Sequence, residues 1–273
     1  MTFMHYVRAF RGIVWRELLR FLQQRERFFA ALVRPLIWLI IFAAGFRAAL
    51  GISIIPPYET YITYDVYITP GLLAMIQLFN GMQSSLSMVY DREMGSMRVL
   101  LTTPLPRWFL LVARLFAGVL VSLFQVYTFL AVAWLCGVEL PAWGYLVALP
   151  ALILSGMMFG ALGMVLSSTI KQLENFAGIM NFVIFPMFFA SSALYPLWKM
   201  REGSLVLYYV CLYNPFTWAV ELIRFSFYLK MNWEAFGVVA GCTVVFLALS
   251  VWAYDPSRGI QQRKAVAPAE AAS

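Results

Sequence analysis

Long apolar runs separated by short polar breaks dominate the chain. A helix needs about 20 mainly apolar residues to cross roughly 30 Å of hydrocarbon. Six segments meet that length: about 35–55, 66–90, 108–136, 144–168, 175–194 and 235–254. Pro35 suits the first turn of the first of these, where its missing N–H costs nothing. A further apolar stretch, 205–229, is broken by Asn214-Pro215 and interrupted by Glu221, Arg224 and Lys230. It reads as a partly inserted outer hairpin or interfacial helix within a segment 196–230. The expected fold is therefore all-α, a polytopic membrane protein with six transmembrane helices. It divides into residues 1–30, a membrane domain 31–254 and a tail 255–273.

The first 28 residues show a different pattern. Phe3, Val7, Phe10, Val14, Leu18, Phe21 and Phe28 fall on one helical face at 100° per residue, with Arg8, Arg16, Arg20 and Arg27 largely opposite. That periodicity predicts an amphipathic helix in the inner interface. It serves either as a membrane-surface anchor or as an elbow that also touches a cytoplasmic partner.

Composition agrees with a bilayer as solvent. Apolar residues make up 62% of the 273 and charged residues 12%, whereas soluble domains carry about 25% charge. The net charge of +7 resides in the polar breaks, which is the pattern of topology signals and not of nucleic-acid binding. With the N-terminus inside, 15 of the 20 Lys and Arg fall on the inner side. The other five, Arg47, Lys199, Arg201, Arg224 and Lys230, fall outside. Both termini are expected in the cytoplasm, with Arg34 and Arg114 snorkelling toward inner helix ends.

Two polar patterns lie within spans. Gln77, Asn80, Ser84 and Ser87 share one face of the second, a seam that cannot point at lipid and so faces either a cavity or neighbouring helices. Gly156, Gly160, Gly163 and Ser167 form a small-residue face on the fourth, suited to close helix packing. Pro186 removes a backbone donor within the fifth. Asn214 and Pro215 suit the N-cap and first position of a new helix, and Glu221 can pair with Arg224 at i,i+3. Tyr195 and Pro196 mark the turn between them. Together they form an outer cap that either closes a pathway or stands as a static plug. The three cysteines show no metal spacing, although Cys136 and Cys211 could pair across the outer side. The dipeptide Gly-Lys never occurs, so no phosphate-binding loop of the Walker type is present.

Between spans two and three, residues 91–107 alternate charges before an apolar run and a Pro-x-Pro break. This stretch, Asp91-Arg92-Glu93-Met94-Gly95-Ser96 followed by Arg98, Leu100, Pro104 and Arg107, resembles the coupling segment of permeases of type-2 ATP-binding-cassette (ABC) exporters. Asp91 replaces the usual Glu, and Ser96 the usual Thr. Pro70-Gly71-Leu72, the run from Phe185-Pro186 through Tyr195-Pro196, and Asn214-Pro215 with Glu221 and Arg224 resemble further signatures of the same family.

The resemblance implies that Asp91 to Arg107 seat in a cleft of a separate ATP-hydrolysing subunit, present in two copies. It further implies that a second permease chain, most simply an identical one, completes the pathway. ATP and magnesium would then sit on the partner, and this chain would carry no cofactor and no catalytic residue. The implied setting is the bacterial inner membrane. A secondary transporter and a membrane-embedded transferase are the alternatives. The first rests on Glu221 as an ion-coupling carboxylate, and the second needs converging acids or histidines that are scattered here.

Overall fold

The computed structural model describes residues 3–23, 25–46, 56–59, 62–93, 106–170 and 173–253, and these form helices and turns without a strand. In chain order the helices are α1 (Phe3–Gln23), α2 (Arg25–Phe46), α3 (Tyr64–Glu93), α4 (Arg107–Leu135), α5 (Gly144–Val147) and α6 (Leu149–Thr169). They continue as α7 (Leu173–Phe189), α8 (Leu197–Gly203), α9 (Leu205–Tyr213), α10 (Pro215–Phe227) and α11 (Trp233–Ala253).

Local chemistry sets several boundaries. Pro106, extended at φ −67° and ψ 145°, precedes α4, so the helix begins at Arg107. Its other end closes on Gly137 at φ +91°. There Gly137 N donates to Trp134 O at 3.0 Å and Val138 N to Ala133 O at 3.0 Å. This reverse turn needs the left-handed conformation that glycine reaches without a Cβ penalty.

Among the described residues, three stretches are long and apolar enough to cross a membrane: Trp108–Leu135, Gly144–Thr169 (α5 running into α6) and Trp233–Ala253. Leu32–Phe42 and Gly178–Phe189 are shorter apolar segments. The thirty-residue α3 is less apolar, and its position explains why. From Val66 to Met82 every side chain is buried, because α2, α4, α6, α7 and α10 all pack around it. A helix walled off from lipid can carry Gln77 and Asn80. In contrast, α11 buries only a stripe (Ala235, Val239, Thr243 and Ser250) and exposes Val244, Val245, Leu249 and Trp252.

Small residues seat α3 against α6. A Cβ added at Gly81 would lie 2.9 Å from Gly160 N, and one at Gly163 would lie 2.7 Å from Gly81 O. The sequence pointed to Gly160 and Gly163 as a packing face, and α3 supplies its complement in Gly81. Such close backbone approach gains dispersion contacts that do not depend on water.

Several boundaries differ from expectation. The first apolar helix starts at Arg25, so Pro35 lies inside α2 and not in its first turn. The N-terminal helix stops at Gln23, which assigns Arg27 and Phe28 to α2. Residues 47–55 lie outside the described residues. The fifth apolar helix ends at Phe189 instead of Leu194, because residues 190–194 leave the helix to bond elsewhere. All three cysteines are free thiols, with Cys211 buried and Cys136 exposed.

The first helix packs lengthwise on α4. Tyr6 meets Phe109, Phe10 meets Phe116 and Phe21 meets Phe124, at ring separations of 5.2, 5.4 and 6.5 Å, so the two helices advance side by side in one direction. Phe21 is buried, whereas Val7, Trp15, Leu19 and Leu22 on this helix are exposed.

Replacing Gly81 or Gly163 by Leu should force α3 from α6. Overpacking costs typically about 1–3 kcal/mol, and here the clash is with backbone, which cannot repack. Both variants are expected to melt at lower temperature in detergent and to lose the monodisperse size-exclusion peak. A Gly241→Leu control, with open space around its Cβ position, should behave as wild type.

Candidate functional site

Arg224 organises one end of the bundle. The residue is 2% exposed. Its Nη1 donates to Glu221 Oε1 at 2.5 Å, its Nη2 donates to the Ser192 carbonyl at 2.9 Å, and its guanidinium lies 4.2 Å from the Tyr67 ring centroid. Three elements thus converge on one cation: α10 through Glu221, α3 through Tyr67, and the turn after α7 through Ser192. Spacing at i,i+3 on α10 puts the carboxylate beside the guanidinium. The cation–π contact adds an attraction that strengthens when water is excluded.

The 190–194 turn is held from both sides. Tyr67 Oη donates to Ser192 O and Tyr64 Oη to Leu194 O, each at 2.9 Å. Gly71 makes room for it, since an added Cβ there would lie 2.6 Å from Ala193 Cβ. The Pro70-Gly71 pair therefore lies inside α3, where the glycine receives a loop.

Asn214 joins two helix ends. Its amide donates to Met187 O at 2.7 Å and Ala190 O at 2.6 Å, at the C-terminal end of α7, and its oxygen accepts from Phe216 N at 3.0 Å. One side chain thus serves orphan carbonyls of α7 and an orphan N–H of α10. Thr217 donates to Cys211 O at 2.6 Å and accepts from Ser192 N at 3.3 Å, while Trp218 Nε1 donates to Leu212 O at 2.8 Å. Pro215 occupies the first position of α10, and Pro186 sits in the last turn of α7. Tyr195 and Pro196 lead into α8. The outer-cap residues picked from the sequence thus stand around one turn.

A surface tie lies beside this knot. Lys230 Nζ donates to Pro57 O at 3.1 Å and to Glu59 Oε1 at 2.9 Å. The ammonium holds the Glu59 carboxyl below its ordinary value of 4.5. A depressed carboxylate binds protons less readily folded than unfolded, so the tie is intact at neutral pH and is lost as the pH falls through the lowered value. Nearby, burial pushes the Tyr58 phenol upward, and its ring meets Tyr228 edge-on at 4.9 Å.

The polar seam of α3 is largely spent on neighbouring helices. Gln77 Nε2 donates to Leu152 O at 2.6 Å and Gln77 Oε1 accepts from Ser155 at 2.7 Å, tying α3 to α6. Asn80 Nδ2 reaches Gly118 O on α4 at 3.4 Å, and Ser84 donates to Gly81 O in its own helix at 3.0 Å. The side chain of Ser87 lies outside the described residues. Asn80 also lines a small cavity with Arg34, Phe79, Gln83 and Gln125. Gln83 and Gln125 were not singled out from the sequence; the signal was available, as an amide three residues beyond Asn80 and a lone amide within an apolar run.

At the opposite end of the bundle, Met88 of α3 clusters with Leu111 and Leu115 of α4, so these two helices are antiparallel and the 94–105 segment joins their adjacent ends. Asp91, Arg92 and Glu93 close α3, and Arg107 opens α4. Their side chains, and Gly95, Ser96, Arg98, Leu100 and Pro104 entirely, lie outside the described residues.

Comparison with known proteins places this architecture. The family description "ABC-2 type transporter" matches residues 8–228. A Cyanophora paradoxa protein named as transport permease ycf38 is 29% identical over 218 residues, covering 76% of this chain and 71% of its own length. The ycf38 protein of Porphyra purpurea is 26% identical over 231 residues, covering 84% and 76% respectively. A protein of Escherichia coli K12 named as multidrug ABC transporter permease YbhR is 27% identical over 130 residues, 46% of this chain and 35% of its own length.

Arg224→Leu should destabilise strongly, because removing one partner of a buried pair typically costs about 3–5 kcal/mol. Glu221→Gln should cost less, since the amide still accepts a hydrogen bond. The double variant should fall short of the summed single effects, as expected for groups in contact. Thermal unfolding in detergent across this cycle checks the pairing.

Proposed function

Because the chain belongs to the ABC-2 type transporter family, we propose that it is the membrane subunit of an ABC exporter, driven by ATP hydrolysis on a separate protein. The observation that carries this reading is the family match, which runs from α1 through the end of α10 and so takes in all of the bundle but α11, with the Arg224 knot and the 91–107 segment. The chain spans membranes as a multi-pass transport permease. The reading takes six crossings, by α2, α3, α4, α5 with α6, α7 and α11, and the Lys/Arg bias then supports both termini and residues 91–107 on the cytoplasmic side. The Arg224 knot then lies at the outer side.

In this reading two permease chains, identical in the simplest case, face each other above two ATPase subunits in the bacterial inner membrane. ATP and magnesium bind the ATPases. Closure of those subunits pushes on residues 91–107, where Asp91, Arg92, Glu93, Arg98 and Arg107 present charges of both signs and Leu100 an apolar contact. The push passes along α3 and α4 into the bundle. Gly95, Ser96 and Pro104 shape the turn, and α1 runs alongside α4. The segment α8–α10 closes the outer end of the pathway.

Two features favour this over secondary transport. Glu221, the carboxylate with the best case for ion coupling, is paired with Arg224. The sequence also offers a cytoplasmic segment of mixed charge suited to a protein partner, which an ion-driven carrier does not need.

Charge reversal at Arg92 or Glu93 should leave insertion and folding intact while uncoupling ATP hydrolysis from transport. Co-expression with a candidate ABC ATPase from the same genome, followed by ATPase and transport assays in proteoliposomes, tests this. Transport by the reversed variants at the wild-type rate would remove the coupling role, and transport without any ATPase would remove the whole reading.

A further inference from the structure

One face of α4 changes partner partway along the helix. Phe109, Phe116 and Phe124 on that face meet Tyr6, Phe10 and Phe21 of α1. The face continues at helical spacing through Tyr127, Ala131 and Trp134, but α1 ends at Gln23. Beyond that point an open groove of about 370 Å³ runs between α4 and α5, lined by Tyr127, Leu130, Ala131, Trp134 and Tyr145. Tyr127 Oη donates to Tyr145 O at 2.6 Å and ties the two walls together. Ala131 and Trp134 are exposed, the indole by 61%, so the groove is accessible from outside the bundle.

The surroundings identify the occupant. The two walls belong to Trp108–Leu135 and Gly144–Thr169, both long and apolar enough to cross a membrane, so the groove opens on hydrocarbon. Trp134, Trp143 and Tyr145 stand at the shared end of these spans, and such rings collect at the membrane–water interface. Tyr127 lies further in, about 10 Å deeper at the helical rise. The groove therefore starts at headgroup level and follows the direction of an acyl chain. The bilayer supplies an apolar guest in that orientation.

One charge stands at the mouth. Gly137 turns the chain back, with Val138 N donating to Ala133 O at 3.0 Å, and this brings Glu139 beside the end of α4. The carboxylate is exposed and close enough to the Tyr145 phenol to act on it electrostatically. Glu139 is the only charged residue between Arg114 and Lys171, so this hairpin offers it no cation of its own. A carboxylate accepts hydrogen bonds and donates none, so its complement is an ammonium that still carries N–H groups. We propose that the groove and Glu139 form a site for one phospholipid whose headgroup ends in a primary ammonium. One acyl chain lies along Tyr127, Ala131 and Trp134, and the ammonium meets Glu139. Lipid tails are as apolar as these side chains, so shape holds the chain and the carboxylate chooses the headgroup. The site needs only that the protein spans a membrane; it holds whichever side this end faces and whatever drives transport.

The test uses the full-length permease in detergent micelles, titrated with phosphatidylethanolamine, phosphatidylcholine or phosphatidylglycerol of identical acyl chains. Native mass spectrometry counts the lipids retained. Ala131→Trp fills the groove and should weaken retention of the site-bound lipid by about tenfold. The lipid lost in that variant defines the site and separates it from lipid held elsewhere on the protein. Within that fraction wild type should favour phosphatidylethanolamine over phosphatidylcholine by about threefold, the scale of an exposed ion pair. Phosphatidylglycerol, which has no ammonium, should bind more weakly than either. Glu139→Gln should keep the lipid but lose the preference.

Ala131 and Glu139 are both exposed, so neither change removes a packed contact. Unfolding temperatures of the same preparations check this. If Ala131→Trp melts early, Ala131→Leu fills part of the groove in its place, and Glu139→Gln tests the headgroup independently. Equal retention of lipid by wild type and the folded groove variants overturns the site. So does a site-bound fraction that takes the three headgroups alike, or a preference that survives Glu139→Gln. A groove variant that changes the oligomeric state and releases no lipid also overturns it, because the groove then holds a second copy of the chain. Failure of ATP-driven transport leaves the site standing, since none of these measurements involves an ATPase.

Discussion

A buried guanidinium tolerates no half measures. Desolvating an ion costs several kcal/mol, and the cost is recovered only when charge and hydrogen-bonding partners surround it with good geometry. Arg224 meets most of that demand by drawing on α3, α10 and the turn after α7 at once, with its Nε left without a hydrogen-bond partner. Each partner is fixed in turn by something else: Tyr67 by its own bond to Ser192 O, Ser192 N by Thr217, and the start of α10 by Asn214. The position of the turn, the end of α7 and the start of α10 are therefore not independent features. They are consequences of satisfying one cation and the helix ends around it.

The same demand for satisfaction explains why α3 lies in the middle. Its amides would be costly against lipid, and its central position gives Gln77 two partners on α6. Glycines at 81, 160 and 163 bring the backbones close enough for those short side chains to reach. Polar content and small-residue content in neighbouring helices are thus two halves of one arrangement.

Much of this was legible in the sequence, and the failures have physical causes. Helix existence followed from hydrophobic length alone, and the apolar runs became helices, although the first begins ten residues before its expected start and residues 47–55 of that run lie outside the described residues. The pairing of Glu221 with Arg224 and the capping by Asn214 followed from local spacing, which a helix fixes. The end of α7 could not be read that way. Residues 190–194 are apolar enough to continue a helix, and only tertiary bonds from Tyr64 and Tyr67, more than 120 residues away in sequence, pull them out of it. The start of α2 was missed because Pro35 has two meanings: it can open a helix or lie within one whose neighbours absorb the lost bond. Gly81 offered no signal of its own, because a lone glycine has no face until its partner is known.

The rod-like form of α3 has a mechanical consequence. Thirty residues at about 1.5 Å each make an arm of roughly 45 Å, with Tyr64, Tyr67 and Gly71 gripping the far turn and Asp91–Glu93 at the near tip. The glycine contact at position 81 clamps it between these ends, about 25 Å from one and 18 Å from the other by the same rise per residue. Five neighbours hold it along Val66–Met82. In the proposed cycle a displacement at the Asp91–Glu93 tip would therefore be carried to the tyrosines by the helix as one rigid piece, with no need for it to stretch, melt or relay a signal residue by residue.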